Sequence, residues 1–229
     1  MMNFKSIFDF LKKNPDDKTV LIASQKHPQE YYVRMFWDTV LPQIAEITTQ
    51  SRYGYHGLSH TAQVAMFGID IAYTIGQDPL PVILAAGLHD CARTNDNWCN
   101  EHGPNAVPIA HKFLAKNYPN LSKTDVKQIV NAVKNHTNGR IARDGVAACL
   151  WDGDRIRLSW EMGYDPYFFT TMRGRQIASL NATGQTCYIA DQDDFLVRHN
   201  IRTRQQIEYD REQDKIQAKI GTQFKTKER

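Results

Sequence analysis

Residues 79–88, PLPVILAAGL, carry no charged side chain, and His89 and Asp90 follow them directly. Prolines at positions 79 and 81 suit the first turn of a helix, where a missing N–H has no partner to lose. A helix this apolar has no face to turn to water, so it must lie at the centre of a bundle. Other helices are needed to surround it, and the two ionisable groups at its end must find partners inside the fold.

The remaining sequence supplies those helices. Residues 60–76 place Val64, Phe67, Ile71 and Ile75 on one stripe, and residues 104–116 carry Ala106, Ile109, Ala110 and Phe113 on one face. Residues 123–136 begin after Ser122, with Asp125 three residues on in a near capping-box arrangement, and their stripe is Val126, Ile129, Val130 and Val133. Residues 141–160 carry Ala147, Leu150, Trp151 and Leu158. Earlier, residues 4–13 read as a short amphipathic helix broken by Asn14-Pro15-Asp16-Asp17. Residues 29–49 read as a longer helix that Pro42 should kink or split. Residues 51–59 form a loop, 166–180 a further helix, and 181–189 a turn or short extended piece. From Asp193 onward the chain is polar and of mixed charge, as in an exposed helix. The expected architecture is all-α: a compact helical bundle with N-terminal helices over 1–50, a core over 51–165 and a polar C-terminal extension over 166–229.

Several ionisable groups share the inward stripes. His60 precedes Val64 by four residues, and Asp154 lies four residues from both Leu150 and Leu158. His136 continues the Ile129–Val133 stripe, and His102 precedes Ala106 by four. Adjacent residues on a helix diverge by about 100°, so His89 and Asp90 can reach one point only at a helix end, which is where they sit. Burying six such groups unpaired would be costly. A divalent cation (Mn, Fe, Co, Ni, Zn or Mg) resolves that cost, since imidazole and carboxylate suit such ions.

The segments HGLSH (56–60), GLHDCAR (87–93) and GDRIRL (153–158) together resemble the HD superfamily of metal-dependent phosphohydrolases, whose signature is H…HD…D on separate helices. The resemblance covers about residues 50–160 and implies His60, His89, Asp90 and Asp154 as metal ligands. His60 is preferred to His56 because it opens a helix and shares its stripe. Asp154 is preferred to Asp152 because a basic and an apolar residue, Arg155 and Ile156, follow it as in the family; Asp152 is then a supporting or exposed group. Family members with two metals carry extra histidines between the doublet and the last aspartate, and His102 and His136 match those positions. The alternative is that both bind substrate phosphate or orient the cavity. His27, His111 and His199 read as structural or exposed.

The implied reaction is hydrolysis of a nucleotide or other small phosphate ester by a metal-activated water, with Asp90 both a ligand and a proton acceptor. Arg93 is the first choice for a cation beside the transferring phosphoryl group, ahead of Arg140, Arg143 and Arg155. Guanosine-polyphosphate hydrolases of the superfamily have acidic residues after the doublet, whereas Cys91-Ala92-Arg93 follows here. NHTNGR (135–140) lacks the GYP element of the cyclic-di-nucleotide branch. Trp98 could stack on a base or anchor its loop. Two other readings of the same fold are a non-catalytic metal- or nucleotide-binding module and a di-iron oxygenase, the latter requiring the extra histidines.

With 41% hydrophobic and 23% charged residues, the 229-residue chain has ordinary globular composition. A net charge of +3 makes no case for nucleic acid. The basic residues of 198–229 are interleaved with Glu208, Asp210, Glu212 and Asp214, as on a solvated helix. Cys91, Cys99, Cys149 and Cys187 form no C-x-x-C pair, the start does not read as a signal peptide, and no run is long enough to span a bilayer. The expectation is a cytoplasmic protein with free thiols and no membrane partner.

Overall fold

A computed structural model describes residues 27–48, 56–97, 99–138, 141–162 and 165–182. Every regular element among them is helical. The expected helix at 4–13, most of the turn at 181–189, and the tail lie outside the described residues, as do Trp98, Arg140, Cys187 and His199.

The chain enters through α1 (Gln29–Met35), a widened π-type turn (Phe36–Val40) and α2 (Leu41–Ala45). The expected break at Pro42 therefore takes the form of a change of helical pitch just before it. A proline has no N–H for the carbonyl four residues earlier, and a wider turn absorbs that loss. Phe36, Trp37, Val40, Leu41 and Ile44 all enter the main core.

The centre is built from α3 (Leu58–Ile75) and α4 (Pro79–Leu88). Asp78 caps α4 by accepting from the Leu80 N–H at 2.9 Å. Pro79 and every residue from Pro81 to Leu88 are buried, as an all-apolar helix requires. On α3 the expected stripe is only part of the buried surface. Ala62, Ala65, Ile69 and Ala72 are buried too, because α3 packs against both α4 and α7. Ile75, expected on the inward stripe, is 39% exposed at the helix end.

Around this pair run α5 (His102–Asn117), α6 (Lys123–Asn135) and α7 (Gly145–Met162). Ser122 caps α6, its hydroxyl accepting from the Asp125 N–H at 3.1 Å and donating to the Asp125 carboxylate at 2.7 Å. Two close approaches set the geometry of the site. A side chain at Gly103 would meet the Lys134 carbonyl at 2.6 Å, so only glycine lets the start of α5 reach the end of α6. A side chain at Gly153 would meet the Val64 carbonyl at 2.9 Å, so α7 and α3 cross nearly backbone to backbone.

The expected single helix over 166–180 is instead a short 3-10 turn (Pro166–Phe168) followed by α8 (Met172–Ala182). Between them Thr170 and Thr171 donate backbone N–H bonds to Asp152, which pulls the chain out of helix and buries Phe169. The α8 residues Ile177 and Ala178 join a second core with Ile71, Val82, Cys149 and Ile156. No helix among the described residues is long and apolar enough to cross a membrane.

Candidate metal centre

Six side chains named from the sequence meet at one place. His60 is the third residue of α3, His89 and Asp90 follow the last residue of α4, His102 opens α5, His136 follows α6, and Asp154 lies within α7. His60, His89, Asp90, His102 and His136 are all buried, and Asp154 is partly so.

Two groups of ligand atoms form around Asp90. His60, His89 and Asp90 make one, and Asp90, His102 and His136 make the other; either could hold a metal ion. In the first, Asp90 Oδ2 lies 3.3 Å from His89 Nε2 and 3.6 Å from His60 Nε2. The two Nε2 atoms are 3.2 Å apart, and Asp154 Oδ1 joins through His60 Nε2 at 3.2 Å. In the second, Asp90 Oδ1 lies 3.1 Å from His102 Nε2 and 3.5 Å from His136 Nε2, which are 2.8 Å from each other.

Three of the four rings have their tautomer fixed. A carbonyl can only accept, so the ring nitrogen facing it must carry the proton. His89 Nδ1 donates to the Ala86 carbonyl at 2.7 Å, His136 Nδ1 to Val133 at 2.7 Å, and His102 Nδ1 to Cys99 at 2.5 Å. Ala86 and Val133 sit in the last turns of α4 and α6, where carbonyls lack helical partners. The helix ends thereby lock the rings with Nε2 turned inward. His60 differs: its Nδ1 is buried without a hydrogen-bond partner among the described residues. The carbonyl three residues before it, Gly57, already accepts from the N–H and hydroxyl of Thr61.

These contacts fit a cation. The Nε2 atoms of His102 and His136, with both Nδ1 protons held by carbonyls, repel at 2.8 Å unless positive charge lies between them. Ions of this class hold nitrogen and oxygen donors at about 2.0–2.2 Å, which places neighbouring donors about 3 Å apart. A second nitrogen locked by a carbonyl is also how metal-binding imidazoles are held.

The site's electrostatics ask for the same charge. Burial favours a neutral His89 ring, but the Asp90 charge and hydrogen bond, with Asp154 behind them, raise its pKa to about 9. Burial would raise Asp90, yet His89, His102 and His136 hold it well below the ordinary carboxylate range. Asp154 is likewise lowered, by its His60 hydrogen bond and nearby imidazoles against the effect of burial. His136 is lowered, chiefly by burial. Without metal, the carboxylates thus draw a proton onto His89; a bound cation would take its place.

The remaining candidates separate. Arg93 is buried beside the centre, its Nε donating to Asp90 Oδ1 at 3.0 Å and its Nη1 to the Asn97 carbonyl at 3.1 Å. Arg155 donates to the Phe168 carbonyl and lies over the Trp151 ring, and Arg143 is exposed. His27 and His111 are exposed. Asp152 is fully buried and belongs to the fold, accepting from the N–H groups of Thr170 and Thr171 and from the Thr171 hydroxyl. The expectation of a supporting or exposed Asp152 therefore gives way to a structural role in docking α8. His56 lies against His60, ring centroids 5.6 Å apart, with its N–H and Nδ1 both 3.1 Å from Asp96 Oδ1.

Sequence reasoning passed over one buried ion pair, Arg173 to Asp70, at 2.7 Å from Nε to Oδ2. Its partners are 103 residues apart in sequence, and the one local signal was a charge at Asp70 between Ile69 and Ile71. No family model matches the chain, and no curated protein or solved structure matches it.

Proposed function

We propose that the chain is a metal-dependent phosphohydrolase of the HD-domain type, acting on a nucleotide or other small phosphate ester. The observation that carries this reading is Asp90 shared between two His-Asp ligand groups, with the histidines and aspartates in the order H…HD…D. A divalent cation held there would lower the pKa of a bound water toward about 7 and polarise a phosphoryl oxygen. The chain's own part is to hold the ligands on helix ends, keep the ring tautomers fixed, and hold the Asp90 carboxylate in place through Arg93.

The close approach of His102 and His136 also supports a second reading, a di-iron oxygenase of the same fold. One experiment separates the two. Elemental analysis of the purified chain is combined with a screen of phosphate esters in Mn, Co, Ni and Mg. Metal together with phosphate release supports the hydrolase. Metal without turnover in that screen, but with oxygen consumption on iron loading, favours the oxygenase. Metal with neither activity points to a binding module, and no metal at all removes the basis of the proposal.

A further inference from the structure

The two ligand groups share one carboxylate but not on equal terms. Among the described residues Asp90 Oδ2 faces only imidazoles, His89 at 3.3 Å and His60 at 3.6 Å, and the Asp154 carboxylate stands 3.2 Å from His60. Asp90 Oδ1 faces His102 and His136 but also accepts from Arg93 Nε at 3.0 Å. That hydrogen bond takes up one of the oxygen's lone pairs, and it brings a permanent positive charge against the same atom. Arg93 is held there by burial and by its second bond to the Asn97 carbonyl at 3.1 Å.

We infer that Arg93 makes the two half-sites unequal: the His60–His89–Asp90 group, backed by Asp154, holds a resident divalent ion, and the Asp90–His102–His136 group holds a second, exchangeable one. This rests on the metal-binding part of the proposed function, though not on phosphate-ester chemistry. Two carboxylates serve the first half-site. The second has a share of one, and that share faces a guanidinium. Like charges close together in a partly dry site repel strongly, so the second ion binds against Arg93. Arg93 then positions Asp90 and sets how readily the second ion enters. At low free metal the chain carries one ion, and a reaction needing two would follow the metal concentration.

The test is a calorimetric titration of the chelator-stripped full-length chain with Mn²⁺. Two classes of site are expected, separated by at least about tenfold in Kd, the lower end of what partners of a ligand usually change. His102→Ala should abolish the weaker class and leave the tighter one. Arg93→Gln should tighten the weaker class by about tenfold or more, and Arg93→Lys, which keeps the charge, should not. Two equal classes in the unaltered chain would overturn the inference, as would loss of the tighter class in His102→Ala. So would an unchanged weaker class in Arg93→Gln, or equal tightening in both Arg93 variants. Absence of any Mn²⁺ binding would overturn the metal centre itself. Unequal binding without phosphate release would leave the inference standing and remove only the hydrolase reading.

Discussion

His102 and His136 point their Nε2 atoms at each other across 2.8 Å, while both Nδ1 protons are held by backbone carbonyls. Such a pair is strained by its own lone pairs until positive charge arrives. Metal should therefore stabilise the folded chain well beyond the effect of ionic strength. At free metal one hundred times Kd, the gain is about 2.7 kcal/mol, or roughly 5–10 °C in Tm for a chain of this size. Thermal melts with Mn, Co, Ni or Zn, against chelator at equal ionic strength, check this. A Tm unchanged by every ion would contradict the site.

The metal-free chain should respond to pH through His89. Its folded pKa, about 9 against an ordinary 6.5, is raised by the Asp90 charge and hydrogen bond and by Asp154, against a burial effect that would lower it. A raised histidine stabilises fully below the unfolded value and loses that contribution as pH rises toward the folded one. Stability in chelator should thus decline between about pH 6.5 and 9. With metal bound, the cation replaces the proton and the decline should flatten. Parallel melts across that range measure both curves, and coincident slopes would count against proton and metal sharing the place.

Asp90 belongs to both ligand groups, whereas His136 belongs to one. Asp90→Ala should empty both half-sites and abolish activity. His136→Ala should lower the metal content toward one ion per chain and weaken activity without emptying the first half-site. Elemental analysis of the two folded variants decides it. Full metal content in Asp90→Ala would sink the central assignment.

Much of this arrangement was legible because it follows local rules. The all-apolar run of 79–88 required a central helix, and His60, His102 and His136 revealed their direction by continuing apolar stripes. What stayed hidden depends on distant backbone. Nothing near Asp152 in the sequence announces that Thr170 and Thr171 will fold back onto it, so 166–180 read as one helix. Nor does the spacing of Arg93 from Asp90 say whether the guanidinium turns toward substrate or toward the carboxylate; its 3.0 Å bond to Oδ1 answers that. The stripe through Ile75 failed for a simpler reason, since periodicity gives the face but not where the neighbouring helices end.

Two aspartates two residues apart, on either side of Gly153, should fail in different ways. Asp154 reaches His60 Nε2 at 3.2 Å and contributes charge to the centre, so Asp154→Asn should weaken metal binding and lower activity by more than 100-fold, beyond the 10–100-fold typical of an outer partner. Asp152 accepts three hydrogen bonds from Thr170 and Thr171 and holds the start of α8. An asparagine there keeps one acceptor oxygen and sets an amide N–H₂ against a donor, at about 1–3 kcal/mol of stability. Asp152→Asn should therefore melt earlier, while the folded protein keeps its metal content and most of its activity. Metal analysis and assays well below the variant's Tm separate the two effects. Equal loss of metal and activity from both substitutions would mean that the last ligand is not Asp154.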